Sequence, residues 1–213
     1  MKKLETNMKI MKIMKIVVIC LCMTLLSSCS SGPSNVRYYL LHTAKNKVSH
    51  TSDESKPTIV LQLLNVADYL YQSSLVMQVS QHELHYSRHD VWAEKLQTSF
   101  YNALLQDLNV GGQRNYIAST SPNVPFAFAS VIITLDHFHA TDASTVVSSG
   151  KYWLLADNDL ASEAKRVAVS SHSFFFESEL KQDGYAHAVE KLRTLISNLA
   201  TQIERDIAAL PNS

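Results

Sequence analysis

Glycine and cysteine are both scarce in this chain of 213 residues, which contains five Gly and three Cys. No glycine-rich phosphate loop occurs, and no G-x-S-x-G segment marks the nucleophile of an α/β-hydrolase. Cys20 and Cys22 lie in an apolar stretch near the N-terminus, and the third cysteine is Cys29. Because no thiol follows Cys29, the remaining chain cannot form a disulfide framework and must be stabilised by packing.

A long hydrophobic run is also missing. Residues 16–26 form an apolar run of eleven residues, whereas a transmembrane helix needs about twenty. Lysines precede this run, and Leu26-Ser27-Ser28-Cys29 ends it with a branched apolar residue, two small residues and a cysteine. This pattern is typical of a bacterial lipobox. It predicts that residues 1–28 are a signal peptide and that Cys29 carries a covalent diacylglycerol and an N-acyl chain.

The residue after the predicted lipidation site is Ser30. An Asp at this position is the usual signal for retention in the inner membrane, so its absence favours the outer membrane. Residues 29–35 are polar and form a short tether. We therefore expect a single domain over residues 36–211, anchored in the outer membrane and facing the periplasm.

The charge of the domain disfavours a nucleic-acid partner. The whole chain has 19 basic and 19 acidic residues, and the first 28 residues contain five Lys and one Glu, so residues 29–213 keep 14 basic and 18 acidic side chains, a net charge of −4. Nucleic-acid binding requires a basic surface. The 185 residues left after removal of the leader suffice for one α/β domain with a core.

The hydrophobic pattern predicts eight strands and two helices. Apolar residues at spacings of three and four predict one helix starting near Trp92 and ending before Gly111, and a second over 184–210. Residues 58–66 are almost continuously apolar, which is typical of a strand covered on both faces, so we expect a three-layer domain with a mixed sheet between helices. The other predicted strands are 37–41, 75–79, 83–86, 116–119 and, as an antiparallel meander, 126–140, 146–156 and 164–176.

Few residues indicate catalysis or metal binding. His82, His85 and His89 would share a face only on a helix, and the local pattern predicts a strand. His137 and His139 fit an exposed strand face, and two ligands do not make a metal site. Carboxylate pairs such as Glu177 with Glu179 or Asp157 with Asp159 fit exposed strand ends and turns. We therefore predict no catalytic residue, no metal site and no enzymatic activity.

Tyrosines are the candidates for partner contacts. Tyr38 and Tyr39 lie near the predicted anchor, and Tyr69 and Tyr71 follow the second predicted strand. Exposed aromatic side chains suit protein interfaces. Tyrosine is often half-buried at the rim of a sheet, so a purely structural role remains open for all four.

Five short segments occur in a definite order along the chain: Tyr38-Tyr39-Leu40-Leu41, Val66-Ala67-Asp68-Tyr69-Leu70, Trp92-Ala93-Glu94-Lys95-Leu96, Gly150-Lys151-Tyr152-Trp153-Leu154-Leu155 and Asp183-Gly184-Tyr185. Their order and spacing resemble the landmarks of the ABC-type transport auxiliary lipoproteins. The resemblance implies an α/β domain similar in architecture to anticodon-binding-like domains and to the amino-terminal domain of TolB.

The resemblance also implies a function. Members of this family are outer-membrane lipoproteins that receive the far end of an MCE-domain protein tunnel, whose other end is held by integral proteins of the inner membrane, and lipids move along such bridges. No cofactor other than the lipid on Cys29 is expected, and assembly into a homo-oligomer is left open. Two alternatives remain, a membrane-tethered envelope hydrolase and a structural lipoprotein that maintains envelope integrity.

Overall fold

The computed structural model describes residues 14–15, 35–42, 55–111, 113–122, 129–156 and 167–209. The lipobox with Cys29 and the turn containing Asp157 and Asp159 lie outside these residues. The chain divides into two compact units, residues 1–35 and 36–213, and all the elements below belong to the second unit. None of the helices in the described part of the chain is long and apolar enough to cross a membrane.

The domain contains eight strands and two long helices within the described residues. A short 3-10 helix, Asp68–Tyr71, follows the second strand. The long helices are α1 (Leu96–Val110) and α2 (Tyr185–Ala208). The strands are β1 (Arg37–Tyr39), β2 (Thr58–Val66), β3 (Ser74–Ser80), β4 (Glu83–Trp92), β5 (Asn115–Ala118), β6 (Ala129–Thr141), β7 (Thr145–Ala156) and β8 (Val167–Glu179).

All eight strands belong to one mixed sheet organised around β6. One edge of β6 pairs in parallel with β2 over residues 129–135 and with β3 at residues 140–141. Its other edge pairs antiparallel with β7, which pairs antiparallel with β8. β5 extends the sheet beyond β2, and β4 and then β1 extend it beyond β3. The predicted meander of the last three strands is confirmed.

Both long helices pack against the sheet and against each other, which places them side by side on one face. Their buried residues share one hydrophobic cluster with the inward side chains of the sheet. The single mixed α/β domain is confirmed, whereas the helix layer expected on the second face is not found among the described residues. The near-continuous apolar character of β2 arises from Ile59, Val60 and Leu61, which are all buried.

Trp92 ends β4, and α1 begins four residues later at Leu96. The prediction that Trp92 opens the helix is therefore wrong in its boundary, although the side chain does lie in the core and is 6 % exposed. Its ring packs near Phe138, with centroids 6.3 Å apart, and Phe138 meets Phe100 of α1 edge to face at 5.4 Å. Bends at Ala93 and Glu94 separate the strand from the helix, and Trp92 and Leu96 belong to the same hydrophobic cluster.

Gly150 lies at the closest approach between β6, β7 and β8. A Cβ atom at this position would collide with the carbonyl oxygen of Thr134 and would lie 3.0 Å from the ring of Phe174. Only a residue without a side chain fits here. The position thus fixes the packing of the Phe174 ring against the sheet.

Candidate functional site

The most exposed apolar surface near the start of the domain is an alternating stripe along β1. Val36, Tyr38 and Leu40 are 41 %, 69 % and 49 % exposed. Successive side chains of a strand point to opposite faces, so these three share one face. The intervening Tyr39 is half-buried and Leu41 is buried in the core. We call Val36, Tyr38 and Leu40 the β1 stripe.

A buried carboxylate fastens β1 to β4. Asp90 accepts a hydrogen bond from the Tyr39 hydroxyl at 2.8 Å and forms a 2.8 Å ion pair with the Arg37 guanidinium. The Ser87 hydroxyl donates to the other carboxylate oxygen of Asp90 at 3.1 Å. Burial alone would raise the pKa of Asp90, but the hydrogen bonds from Tyr39, Arg37 and Ser87 outweigh burial and hold the pKa below its ordinary value.

Further bonds fix the residues that follow β1. The amide of Leu41 donates to the Ser99 hydroxyl of α1 at 3.1 Å, and the amide of Ala93 donates to the Tyr39 carbonyl at 2.8 Å. The His42 ring lies 2.8 Å from the Glu94 carboxylate. The β1 stripe is therefore presented by a rigid backbone, which suits a preformed contact surface.

The second pair of predicted tyrosines is divided between surface and interior. Tyr71 is exposed, with its hydroxyl donating to the Asn65 side chain at 3.0 Å. Tyr69 is half-buried and donates to the Asp136 carbonyl at 3.1 Å, and its ring lies 5.9 Å from that of His139. Burial raises the pKa of Tyr69. Tyr38 and Tyr71 are thus available for contacts, whereas Tyr39 and Tyr69 hold elements together.

His139 differs from its predicted exposed position. His137 is exposed, whereas His139, two positions further along β6, lies against the Tyr69 ring and is buried. Its Nδ1 lies 3.0 Å from the Ala140 carbonyl oxygen. Burial lowers the pKa of His139, so the neutral imidazole is the stable form in the fold. The sequence does not reveal this because the Tyr69 ring that meets His139 comes from the 3-10 helix, which is distant in sequence.

The three histidines of the predicted cluster lie on the β3–β4 hairpin. His82 lies in the turn between β3 and β4, and His85 and His89 are exposed on β4. In the part of the chain that the structure describes, no group of three or more His, Cys, Asp or Glu side chains could hold a metal ion.

One cluster of polar side chains, on β7, β8 and α2, has no recognisable pattern in the sequence. The Ser170 hydroxyl lies 2.9 Å from His172 Nε2, and His172 Nδ1 lies 3.3 Å from the Asp206 carboxylate of α2. This order resembles a Ser-His-Asp arrangement for nucleophilic catalysis. Asp206 is also bonded by the Tyr152 hydroxyl, and the Tyr152 ring stacks on His172 with centroids 5.0 Å apart. The four side chains together join the end of α2 to the sheet.

Neither described cleft contains the Ser170 cluster. A cleft of about 550 Å³ lies between the helices and is lined by residues including Asp107, Ser197 and Glu204. A smaller cleft of about 190 Å³ lies at the start of α2 and is lined by residues including Leu180 and Tyr185.

Comparison with known proteins agrees with the landmarks. Residues 39–204 match the family model described as the ABC-type transport auxiliary lipoprotein component. The intermembrane transport lipoprotein PqiC of Escherichia coli (strain K12) is 27 % identical over 186 residues, covering 87 % of this chain and 94 % of that protein. PqiC of Shigella flexneri matches with the same identity and coverage.

Solved structures share the fold. The crystal structure of an uncharacterized protein superimposes with a TM-score of 0.65 at 20 % identity, covering 81 % of this chain and 99 % of that one. A protein from Xanthomonas campestris superimposes with a TM-score of 0.58 at 11 % identity, covering 70 % and 81 %. The family model spans well over half of the sequence, and the chain belongs to the ABC-type transport auxiliary lipoprotein family.

Proposed function

We propose that this lipoprotein is the outer-membrane subunit of an intermembrane lipid-transport system and that it docks the periplasmic end of an MCE-domain tunnel. In this proposal residues 1–28 are removed, Cys29 carries the lipid anchor, residues 29–35 are the tether, and the domain over residues 36–211 faces the periplasm. Membership of a transport auxiliary family and likeness to the intermembrane transport lipoprotein PqiC support the role.

The observation that carries the docking role is the β1 stripe. It begins directly after the proposed tether and exposes an aromatic ring between two aliphatic side chains on a backbone fixed by Asp90 and Ser99. Interfaces are enriched in such rigid aromatic anchors. A docking subunit needs a contact surface of this kind, and it does not need a catalytic centre.

Copurification from detergent-solubilised envelopes tests the proposal. Tyr38→Ser combined with Leu40→Ser should lower recovery of the MCE-domain protein at least about tenfold, because a central aromatic anchor contributes about 2 kcal/mol or more to an interface. Val110→Ser is the matched control, since Val110 is a similarly exposed apolar residue at the end of α1. Equal recovery with all variants would contradict docking through the β1 stripe.

The Ser170 cluster favours a second candidate, an envelope hydrolase. In that mechanism Ser170 Oγ would attack an ester carbonyl, His172 Nε2 would take the hydroxyl proton and pass it to the leaving alcohol, and Asp206 would stabilise the imidazolium. Water would then hydrolyse the acyl-serine and release the acid. A fluorophosphonate probe and an ester substrate separate the candidates. Labelling and turnover that disappear in Ser170→Ala would establish the hydrolase, whereas the docking proposal expects neither.

A structural lipoprotein is the third candidate. For that role, deletion would leave the distribution of phospholipids between the two membranes unchanged. The docking proposal expects an altered distribution that is restored by the intact chain.

A further inference from the structure

The free edge of β8 is the longest unpaired strand edge that the described residues present. β1 and β5, the other two edge strands, contain three and four residues. β8 contains 13 residues and, among the described strands, pairs with β7 alone. Each residue of an edge strand carries backbone groups, and those directed away from the sheet lack a strand partner.

Strand β8 lacks most of the features that protect natural edges. Short length, Pro, charged side chains (above all Lys) and bulges are the usual devices against unwanted pairing, and Glu177 and Glu179 are the acidic residues of β8. The strand contains no Pro, Lys or Arg. The pairing of β8 with β7 has one register irregularity, between Ala168 and Ser170. Beyond it, residues 170–179 form a regular edge.

The face of this edge opposite the helices carries apolar and acidic side chains. Phe175 is 66 % exposed, and Glu177 and Glu179 on the same face are also exposed. Phe175 pairs with Ser149 of β7, so no large neighbour covers the ring from that strand. An arriving strand would therefore meet one aromatic ring followed by two carboxylates at alternate positions.

We infer that the β8 edge binds an extended segment of another protein by strand addition, and that this segment carries an apolar residue opposite Phe175 and Lys or Arg opposite Glu177 and Glu179. The backbone of the segment would complete the open ladder, and charge complementarity would set its register. The inference does not rest on the proposed function, because the edge would accept any chain of this chemistry.

Two other occupants fit less well. A lipid surface cannot supply the regular row of donors and acceptors that a strand edge requires. A second copy would pair its own β8 antiparallel to this one, and because residues 167–179 contain no Lys or Arg, it would leave Glu177 and Glu179 without a cationic partner. A basic extended segment satisfies both the backbone groups and the carboxylates.

Fluorescence anisotropy of the full-length protein in detergent tests the inference. The probe is a short fluorescein-labelled peptide in which Lys alternates with Val and Thr around one Leu. Two matched probes have Glu in place of Lys, or N-methyl groups on alternate amides that remove backbone donors and keep the charges. We expect saturable binding of the Lys probe and at least about tenfold weaker binding of both matched probes, or about 1.4 kcal/mol.

Protein variants locate the contact. Glu177→Gln with Glu179→Gln, and separately Phe175→Ser, should each weaken binding of the Lys probe about tenfold. Glu83→Gln is the matched control, because Glu83 is an exposed carboxylate at the start of β4. Equal binding of the N-methylated probe would overturn strand addition, and equal loss in the Glu83 variant would overturn the assigned place. Absence of probe binding together with self-association that Phe175→Ser abolishes would assign the edge to a second copy and overturn the basic segment.

Discussion

The hydroxyl of Tyr39 donates a 2.8 Å hydrogen bond to the carboxylate of Asp90, although 51 positions separate the two residues in sequence. The parallel pairing of β1 with β4 brings them together, since Tyr38 lies opposite Val91 and Arg37 opposite Asp90. The bond joins the strand that bears the exposed stripe to the body of the sheet.

Asp90→Ala should lower the free energy of unfolding by about 1–3 kcal/mol, because it leaves the Tyr39 and Ser87 hydroxyls without their acceptor in a partly buried site. Urea denaturation followed by circular dichroism measures the loss. Asp183→Ala is the control, since Asp183 is exposed, and its midpoint should stay near that of the unmodified protein. A comparable loss in both variants would show that the Asp90 bonds contribute little.

The pH dependence of stability should contain a contribution from His139. Its pKa in the fold is lower than in the unfolded chain, where it is about 6.5. The stability that the neutral ring provides is therefore complete above about pH 6.5 and is lost as the pH falls towards the folded pKa. His139→Asn should show a flatter stability profile in this range, and a slope identical to that of the unmodified protein would contradict the assignment.

Gly150→Ala should destabilise the domain by at least about 3 kcal/mol, because the added methyl group collides with the backbone of β6 as well as with the Phe174 ring. Gly111→Ala provides a control at an open position, where the nearest atom would lie 3.8 Å away and the backbone is already helical. Its stability should stay within about 1 kcal/mol of the unmodified protein. Thermal melting of the two variants side by side distinguishes a steric effect from general intolerance of glycine replacement.

Trp92→Ala should cost about 3–5 kcal/mol, as truncation of a large buried aromatic side chain does. The ring lies against Phe138 in the core, so function should fall together with the folded fraction. Parallel measurement of the melting temperature and of partner recovery tests this. Lost recovery at an unchanged melting temperature would instead make Trp92 a contact residue.

Cys29→Ser should prevent lipidation and separate the domain from the outer membrane. Each buried methylene contributes about 0.8 kcal/mol, so the acyl chains of a lipoprotein hold it far more firmly than a single chain would. Fractionation with a labelled-palmitate control should find the variant as an uncleaved precursor in the inner membrane or as a soluble periplasmic domain. Complementation should fail although the domain folds, and a variant that complements from the outer membrane would refute the anchor.

The hydrophobic pattern predicted helices and strands well where their burial depends on residues close in sequence. The stripe from Leu96 to Leu108 is buried as expected, and β2 and the meander formed where their residues predicted them. The boundary at Trp92 failed because a strand end and a helix start can share one apolar face. The burial of His139 depends on its contact with Tyr69 of the 3-10 helix, which no local spacing reveals.

The candidate surfaces were harder to predict. Tyr38 and Tyr39 look alike in sequence, and only the fold separates the exposed Tyr38 from the half-buried Tyr39 bonded to Asp90. The contact of His172 with Asp206 joins residues from a strand and a helix, and the free edge of β8 follows from the order of strands. Such contacts depend on the order of the strands and on which distant elements pack together, and neither composition nor local spacing predicts this.

The shared edge of β6 sets an order in which the chain can fold. Ile59 of β2 pairs in parallel with Ala129, so β2 is synthesised 70 residues ahead of its central partner. Parallel pairs that are distant in sequence form slowly, because the closure of a long loop must precede the contacts that stabilise it. The apolar β2 strand therefore lacks its central partner until residues 129–135 are available, and its pairing with β5 covers residues 58–61. A chaperone that shields residues 58–66 during this interval would reduce aggregation of the incomplete sheet.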